Sequence, residues 1–308
     1  MKVAVVGAGV IGAGWVVQLL SRGKTVSVFD PAAVELGRQV EEAAEAVTAL
    51  GGDLTGWESR LLVATTLAEA VEGAAFVQEN GPESPRQKEG LLSALDEAVP
   101  EGVVIASSTS TLPPSRLASM CQRHPERVLV GHPFNPVYLI PLVEVVGAPV
   151  TDPELVDQAM SFYTEIGKKP VRLRAELPGH LANRLQAALW REAYSLVERG
   201  VASVADIDAA IAHGPGLRWA LLGPLVNQHL SGGAGGLAHV LKHLGPMTQM
   251  LMDDLGSPTL TPALADLLVR GVDEELGSRD QTELSRQRDE LLVQLLTAKS
   301  RADALKEL

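Results

Sequence analysis

Three groups of polar side chains in this sequence have the residue types that acid–base chemistry needs. They are the Ser107–Thr111 stretch, His132 and Glu144, each in or just after a short apolar run. An imidazole with a carboxylate partner is held in one tautomer and can exchange a proton with a hydroxyl group near neutral pH. If the apolar runs are parallel strands, these groups face one crevice at the strand ends. Taken alone, a histidine such as His132 is more often a structural residue than a base.

A glycine turn near the start of the chain has the pattern of a dinucleotide site. Gly7, Gly9 and Gly12 form G-x-G-x-x-G, with Val10 and Ile11 between the last two, directly after a predicted strand. The first glycine permits a tight turn, the second admits a pyrophosphate close to backbone N–H groups, and the third lets a helix lie near the strand. The start of that helix carries positive partial charge. We therefore predict that these five residues contact a dinucleotide.

Asp30, at the end of the next predicted strand, indicates which dinucleotide is bound. A carboxylate there accepts hydrogen bonds from the adenine-ribose hydroxyls and repels a 2′-phosphate, which favours NAD over NADP. The residues from Pro31 to Val34 bring no Arg or Lys that would neutralise such a phosphate. On the fingerprint alone FAD stays open, and so does a glycine turn of unrelated purpose.

These candidates require a sheet with helices over the first part of the chain. Short Val-, Ala- and Ile-rich runs alternate with amphipathic segments, which is typical of parallel strands joined by crossover helices. After Pro178 and Gly179 apolar residues recur at helical spacing and no strand pattern follows. We predict an α/β Rossmann-type NAD-binding domain over residues 1–178 and an all-α substrate and dimerisation domain over residues 179–308.

The individual elements are predicted from the same patterns. The predicted strands are Val3–Val6, Thr25–Phe29, Leu62–Ala64, Phe76–Gln78, Val103–Ala106, Val128–Val130, Leu142–Val145 and Val171–Leu173. The predicted helices are Val10–Leu20, Leu181–Arg199, Ser203–His213, Leu222–Leu230, Leu237–Leu244, Pro262–Leu276 and Arg279–Glu307.

Composition restricts the class of partner. The 308 residues include 26 Lys and Arg against 38 Asp and Glu, a formal net charge of -12, which disfavours nucleic acid and anionic membranes as partners. The one cysteine, Cys121, excludes a disulfide or a cysteine metal cluster within one chain, and no metal is predicted. Met1 is followed at once by a strand pattern rather than an export signal, so we expect a soluble, cytoplasmic protein.

Further motifs follow the glycine turn in order. They are Glu79-Asn80-Gly81-Pro82-Glu83, Lys88, the Ser/Thr stretch, His132-Pro133-Phe134-Asn135-Pro136, Leu142-Val143-Glu144-Val145, Pro178-Gly179 with Asn183-Arg184-Leu185, and Gly214-Pro215-Gly216. With these the chain resembles the 3-hydroxyacyl-CoA dehydrogenase family over nearly its whole length. It is most similar to the branch that acts on free hydroxy acids such as L-carnitine and L-gulonate and includes lambda-crystallin. It departs from the carnitine enzymes at Asn183, where they have Asp, and at His180, where an apolar aromatic residue is commoner.

The resemblance implies roles for single residues. His132 would be the general acid and base, Glu144 the partner that orients it, and Ser110 a hydrogen-bond partner of the substrate oxygen. Asn183 would hold substrate and nicotinamide in register. Asn135 would fix the loop of His132 and contact the substrate.

Other residues are predicted contacts at the edge of the site. By resemblance, Glu83 and Lys88 lie near the nicotinamide ribose, with Ser108 as a further cofactor contact. The alternative for Glu83 and Lys88 is an acidic residue at a helix start and a surface lysine. Arg218 has the fork geometry that suits a substrate carboxylate, and its alternative is a surface salt bridge.

The resulting hypothesis is NAD-dependent oxidation of a 3-hydroxy acid to the 3-oxo acid, and the reverse, in a homodimer. The substrate would be a small, free, polar acid such as L-carnitine or L-gulonate. One alternative places the acid on coenzyme A, as in 3-hydroxybutyryl-CoA. Another, of a different class, is a non-catalytic, crystallin-like structural protein that binds NAD.

Overall fold

The computed structural model describes residues 1–32 and 36–302. They divide into two compact units, Met1–Arg184 and Leu185–Leu308, so that the unit boundary lies within the first turn of a long helix. The domain boundary predicted at residue 178 lies shortly before it.

The first unit is built on a sheet, which in the described residues has eight strands. The strands are Lys2–Val6 (β1), Thr25–Phe29 (β2), Leu61–Val63 (β3), Phe76–Glu79 (β4), Val104–Ser107 (β5), Val128–Pro133 (β6), Leu142–Gly147 (β7) and Lys169–Arg172 (β8). Their order across the sheet is β3-β2-β1-β4-β5-β6-β7-β8. The order reverses between β1 and β4, and this switch point is where open α/β sheets bind ligands.

One pair of neighbouring strands departs from the predicted parallel sheet. β6 and β7 are antiparallel, whereas every other pair is parallel. Residues 134–141 between them are too few for a crossover helix, and antiparallel neighbours need only a short loop. The eight predicted strands are otherwise confirmed, with ends that differ by at most three residues.

Helices cover both faces of this sheet. They are Val10–Ser21 (α1), Leu36–Ala49 (α2), Leu67–Val71 (α3), Pro85–Ala98 (α4), Pro114–Ala118 (α5) and Pro153–Glu165 (α6). Because side chains alternate along a strand, Val3 and Val5 join one apolar core while Ala4 and Val6 join the other. Burial on both faces explains why β1 is a continuous apolar run rather than an alternating one.

The second unit is helical in its described residues. Its helices are Ala182–Glu198 (α7), which begins in the first unit, Val204–Ala212 (α8), Pro215–Leu222 (α9), Pro224–Ser231 (α10), Gly236–Asp254 (α11), Pro262–Leu276 (α12) and Gln281–Arg301 (α13).

Two predictions about these helices were wrong. Pro215–Leu222 is a helix of its own, which starts at Pro215 because proline suits a first turn. The helix predicted to end at Leu244 runs through Pro246 to Asp254, since a proline within a helix removes a backbone donor without always ending it. The predicted end of the last helix at Glu307 lies outside the described residues.

Candidate active site

The glycine turn joins the end of β1 to the start of α1 at the switch point. Gly7 has φ +88°, and a Cβ there would lie 2.7 Å from the carbonyl oxygen of Asn80. A Cβ on Gly12 would lie 1.9 Å from the carbonyl oxygen of Gly7, so only glycine lets α1 start this close to the strand. Around Gly9, in contrast, a Cβ would meet nothing within 4 Å. Its backbone is therefore open to a ligand.

A cavity next to this turn has the dimensions and lining that part of a dinucleotide requires. Its volume is about 510 Å³, and Gly7, Gly9, Asp30, Asn80 and Leu91 are among its walls. The first turn of α1 contains no acidic residue that would compete with a bound phosphate for the helix N-terminus. Val10, at the start of the helix, is 72% exposed. The residues present thus fit a dinucleotide.

Asp30 is bound to the glycine turn itself. Its Oδ2 accepts a hydrogen bond from the Ala8 N–H at 2.7 Å, and its Oδ1 accepts one from the Ala32 N–H at 2.8 Å. Each carboxylate oxygen retains a free lone pair, so these bonds orient Asp30 while leaving acceptor capacity for ribose hydroxyls. The segment from Pro31 to Val34, which contains no Arg or Lys, is described only in part, because Ala33 and Val34 lie outside the described residues.

His132 and Glu144 form a buried pair across two antiparallel strands. They are direct neighbours in the register of β6 and β7, so their side chains share one face of the sheet. His132 Nδ1 lies 2.9 Å from Glu144 Oε2. An ionised carboxylate only accepts hydrogen bonds, so Nδ1 carries the hydrogen and the Nε2 of neutral His132 carries the free lone pair. That lone pair is what a general base requires.

Glu144 is held as an anion by three donors. Besides His132, the N–H groups of Leu181 and Ala182 donate to its Oε1 at 2.8 and 2.9 Å, at the start of α7. Burial raises the pKa of this carboxyl, but the bonds from His132, Ala182 and Leu181 outweigh burial, so the pKa lies below its usual value. Glu144 is therefore ionised at neutral pH and fixes the tautomer of His132.

The Ser/Thr stretch follows β5 and is anchored by Glu83. Glu83 Oε1 accepts a hydrogen bond from the Ser110 N–H, and its Oε2 accepts one from the Thr109 hydroxyl, both at 2.7 Å. Glu83 thus has two partners within the protein, and the Ser110 hydroxyl has no hydrogen bond within the described chain. A ribose contact by Glu83 stays a prediction.

Lys88 is a buried residue rather than the surface lysine of the alternative interpretation. Its Nζ donates to both oxygens of Glu79, at 2.9 and 3.1 Å, and to the carbonyl oxygen of Gly81 at 2.8 Å. Glu79 also accepts a bond from the Ser107 hydroxyl at 2.5 Å. Three acceptors use all three ammonium hydrogens, so Lys88 stabilises the turn after β4, and direct contact with the cofactor stays a prediction.

Ser108 is similarly committed to the protein. Its hydroxyl accepts bonds from Trp15 Nε1 at 3.1 Å and from Gln78 Nε2 at 2.9 Å, and donates to Asn80 Oδ1 at 2.7 Å. Tyr163 extends this buried network by donating to Gln78 Oε1 at 2.7 Å. The network ties α1, β4 and α6 together below the strand ends. No contact of Ser108 with the cofactor is needed to explain its position.

The remaining predicted contacts lie at the surface of their own units. Asn183 is partly exposed in the first turn of α7, and Asn135 is exposed in the loop after β6. Within the described chain neither carboxamide makes a hydrogen bond, which leaves both available to a ligand. Arg218 lies exposed on α9 in the second unit, and the described residues offer it no ion pair, unlike the surface salt bridge of the alternative.

Two buried side chains of this region were missed by the sequence analysis as parts of the site. Lys168, just before β8, donates to the carbonyl oxygens of Val137 and Ile140, the latter at 3.0 Å, and so holds the loop after His132. His180 packs against His132, with their ring centres 5.1 Å apart. Lys168 precedes another lysine, Lys169, and His180 lies among the surface residues of a linker. Neither residue type therefore indicated burial.

Comparison with known proteins agrees with these observations. Residues 2–176 match the NAD binding domain of 3-hydroxyacyl-CoA dehydrogenase, and residues 179–275 match its C-terminal domain. An L-carnitine dehydrogenase of Streptomyces griseus is 47% identical over 303 residues, 97% of this chain and 90% of its own. A 3-hydroxyacyl-CoA dehydrogenase of Gibberella moniliformis is 43% identical over 97% of this chain and 95% of its own.

The solved structures include a similar chain of nearly equal extent. It is a 5-formyl-3-hydroxy-2-methylpyridine 4-carboxylic acid 5-dehydrogenase, described as an NAD+ dependent dismutase. Its TM-score with this chain is 0.81 at 26% identity, with 96% of each chain covered. The cofactor of the present protein is therefore NAD, as Asp30 predicted. In the described part of the chain, no helix is both long and apolar enough to cross a membrane.

Proposed function

The chain belongs to the 3-hydroxyacyl-CoA dehydrogenase family, and we propose that within this family it oxidises a small, free 3-hydroxy acid, with L-carnitine as the first candidate. NAD-dependent oxidation of a 3-hydroxy acid is the chemistry of the family and of this protein. The non-catalytic alternative finds no support, because the relatives reported above are named dehydrogenases and His132 is hydrogen-bonded to Glu144 as the proposed acid–base pair requires.

The observation that carries the mechanism is the bond between His132 and Glu144. It leaves His132 Nε2 as the acceptor for the proton of the substrate hydroxyl, while the ionised carboxylate stabilises the imidazolium that forms. When bound, NAD supplies the acceptor for the hydride that leaves the carbinol carbon. Ser110 and Asn183 would donate to the substrate oxygen as its charge changes. In the reverse direction His132 returns the proton.

The preference for a free acid rests on the relatives. Several L-carnitine dehydrogenases, from Streptomyces, Nocardiopsis and Bacillus, are 44 to 47% identical to this chain over 96 to 97% of its length. Arg218, which is exposed and has no ion pair among the described residues, is the candidate for the substrate carboxylate. A close rival is the CoA-linked substrate, favoured by the Gibberella relative.

The direct test is NADH formation over a panel of free 3-hydroxy acids, including L-carnitine and L-gulonate, and of their CoA thioesters. We expect kcat/KM to be highest for a free acid. Activity with 3-hydroxybutyryl-CoA that far exceeds activity with every free acid would overturn the proposal. The same assay on His132→Gln tests the base: turnover should fall by about 10²- to 10⁴-fold while NADH binding, followed by fluorescence, is retained.

The proposal includes a homodimer that forms through the helical unit. On α11 alone, Leu244, Met247 and Leu251 lie at helical spacing and are 56 to 57% exposed. Trp190 on α7 and Leu225 on α10 are also exposed, by 47% and 68%. Soluble monomers rarely present so much large apolar surface, and a second copy of the chain would cover it.

The cytoplasm is the proposed compartment because the single cysteine needs no oxidising environment.

A further inference from the structure

The chain enters α7 through an unusual turn. Gly179 and His180 are consecutive residues with positive φ, +75° and +52°, and among the described residues His180 is the one non-glycine residue in that region. A side chain is strained there, so the conformation persists only where its surroundings hold it. The two residues after the turn, Leu181 and Ala182, are those whose N–H groups bind Glu144. The turn thus aims both donors at the catalytic pair.

The side chain of His180 reaches a second part of the site. Its Nε2 lies 3.0 Å from the carbonyl oxygen of Thr109. The N–H at the other end of that peptide group belongs to Ser110 and donates to Glu83. The Thr109–Ser110 peptide is therefore held at both of its polar ends, which fixes the position of Ser110. Because a carbonyl oxygen only accepts, the tautomer with hydrogen on Nε2 is the one present.

The other ring nitrogen of His180 has no partner. The residue is fully buried, and its Nδ1 is without a hydrogen bond in the described chain. Burial lowers the pKa of His180, and the nearby His132 lowers this pKa further. The bond to Thr109 and the charges of Glu144 and Glu83 raise it, but the pKa remains below its usual value. The imidazole is therefore neutral at neutral pH. A buried acceptor without a donor is a cost that an apolar ring of similar shape would not carry.

We infer that His180 is a positioning residue of this site, which holds Ser110 and Glu144 in register with His132 through its Nε2 hydrogen and its left-handed turn. The inference rests on the roles proposed above for those three residues. The side chain of His180 contacts the segment after β5 and the ring on β6, and its backbone turn leads directly into the donors that bind the carboxylate on β7. The unpaired Nδ1 is then explained, because the donor at Nε2 is what the site requires and no apolar ring supplies it.

The test compares His180→Phe with His180→Gln. Phenylalanine keeps a ring beside His132 but lacks the donor, whereas the glutamine amide can donate to Thr109 as Nε2 does. We expect His180→Phe to lower kcat at least tenfold, with NADH affinity within about twofold of wild type and no loss in melting temperature, since misplacement of reacting groups affects turnover strongly. His180→Gln should recover most of kcat. His124→Phe, at the opposite end of β6, is the matched control.

The outcomes are distinguishable from failure of the proposed function. If His132→Gln is inactive but His180→Phe retains kcat within twofold, the inference fails while the proposed base stands. If His180→Gln is as poor as His180→Phe, the donor is not the cause and the inference also fails. Should His180→Phe not fold, the histidine ¹⁵N spectrum of the wild type decides: at pH 7 His180 must carry hydrogen on Nε2 and none on Nδ1, and the opposite tautomer overturns the inference.

Discussion

In the proposed mechanism Glu144 acts on the chemistry only through its charge and its position. Its carboxylate accepts from His132 and from two backbone N–H groups, and no described contact joins it to the glycine turn. In that mechanism it belongs to the acid–base step rather than to cofactor binding.

For this reason we expect Glu144→Gln to lower kcat by about 10²- to 10⁴-fold, the range for loss of an oriented base. A neutral amide neither fixes the tautomer of His132 nor stabilises its cation. NADH affinity should stay within about twofold of wild type. Steady-state kinetics and fluorescence titration measure the two quantities. Near-normal kcat in this variant would refute the role of the pair.

The pH dependence of stability follows from the same group. The pKa of Glu144 is lower in the folded chain than its usual value of 4.5, so its contribution to stability is present above that pH. The contribution is lost as pH falls through the folded pKa, because the unfolded chain then binds the proton first. Urea denaturation at stepped pH below 5 should show wild type losing stability faster than Glu144→Gln. Parallel curves for the two proteins would contradict this.

At the residue level the sequence predicted the chemical pair but not the supporting residues. His132 and Glu144 follow from residue type, strand position and family resemblance. The roles of Lys88, Lys168 and His180 depend on burial, which arises from contacts between segments far apart in sequence. Lys88, for instance, has the sequence context of an exposed helix face, yet it pairs with Glu79 beneath the turn.

At the scale of elements, the turn between β1 and α1 contains a glycine that packing requires, Gly12, and a glycine that we predict to contact the cofactor, Gly9. Ala at position 12 would collide with the Gly7 carbonyl, whereas Gly9 has ordinary φ of -64° and open space around it. We expect Gly9→Ala to fold with a melting temperature near that of wild type but to bind NADH at least tenfold more weakly. Gly12→Ala should be strongly destabilised. Thermal denaturation and NADH fluorescence distinguish these outcomes, and unchanged NADH affinity in Gly9→Ala would place the phosphates elsewhere.

The loop between β6 and β7 is held by the buried side chain of Lys168. Burial, with the positive charge of Arg22, lowers the pKa of Lys168 from 10.5 to about 7. Between pH 7 and pH 10.5 the unfolded chain binds a proton at Lys168 that the folded chain does not. The contribution of Lys168 to the free energy of unfolding therefore rises with pH, by up to about 1.4 kcal/mol per pH unit.

The prediction is therefore that wild type gains stability relative to Lys168→Met from pH 7.5 to pH 9.5. Urea denaturation of both proteins at each pH measures it, and other titrating groups cancel in the comparison. An unchanged difference between the two proteins over this range would show that Lys168 keeps its proton in the folded chain.

Element type was easier to predict than strand direction or helix ends. The eight strands follow from short apolar runs, but the antiparallel pairing of β7 depends on the length of one loop, which the pattern of β7 itself does not show. The helix through Pro246 was missed because Gly245 and Pro246 form a strong local stop signal.

At the scale of the whole molecule, the exposed apolar side chains of the helical unit predict a mass in solution of twice the protomer's 32.6 kDa. Replacing Leu244 and Met247 together by Glu should shift the protein to monomer, because two carboxylates cannot be buried without partners. Val150→Glu, at an apolar position of the first unit that is 51% exposed, is the control and should stay dimeric. Light scattering after size exclusion measures all three, and a monomeric wild type would refute the proposal. Sequence periodicity marks this face as apolar but does not say what covers it.

The cross-strand pairing of His132 with Glu144 has a consequence for how such an enzyme can change. The spacing of imidazole and carboxylate is set by the hydrogen-bond ladder between β6 and β7, whereas the predicted substrate contact Asn135 lies in the loop that joins them. Asn135 is exposed, so a substitution there leaves the ladder intact, but a one-residue slip of either strand would turn Glu144 to the opposite face. New substrates can therefore evolve by substitution in the exposed part of the loop while the proposed proton-transfer pair is inherited unchanged.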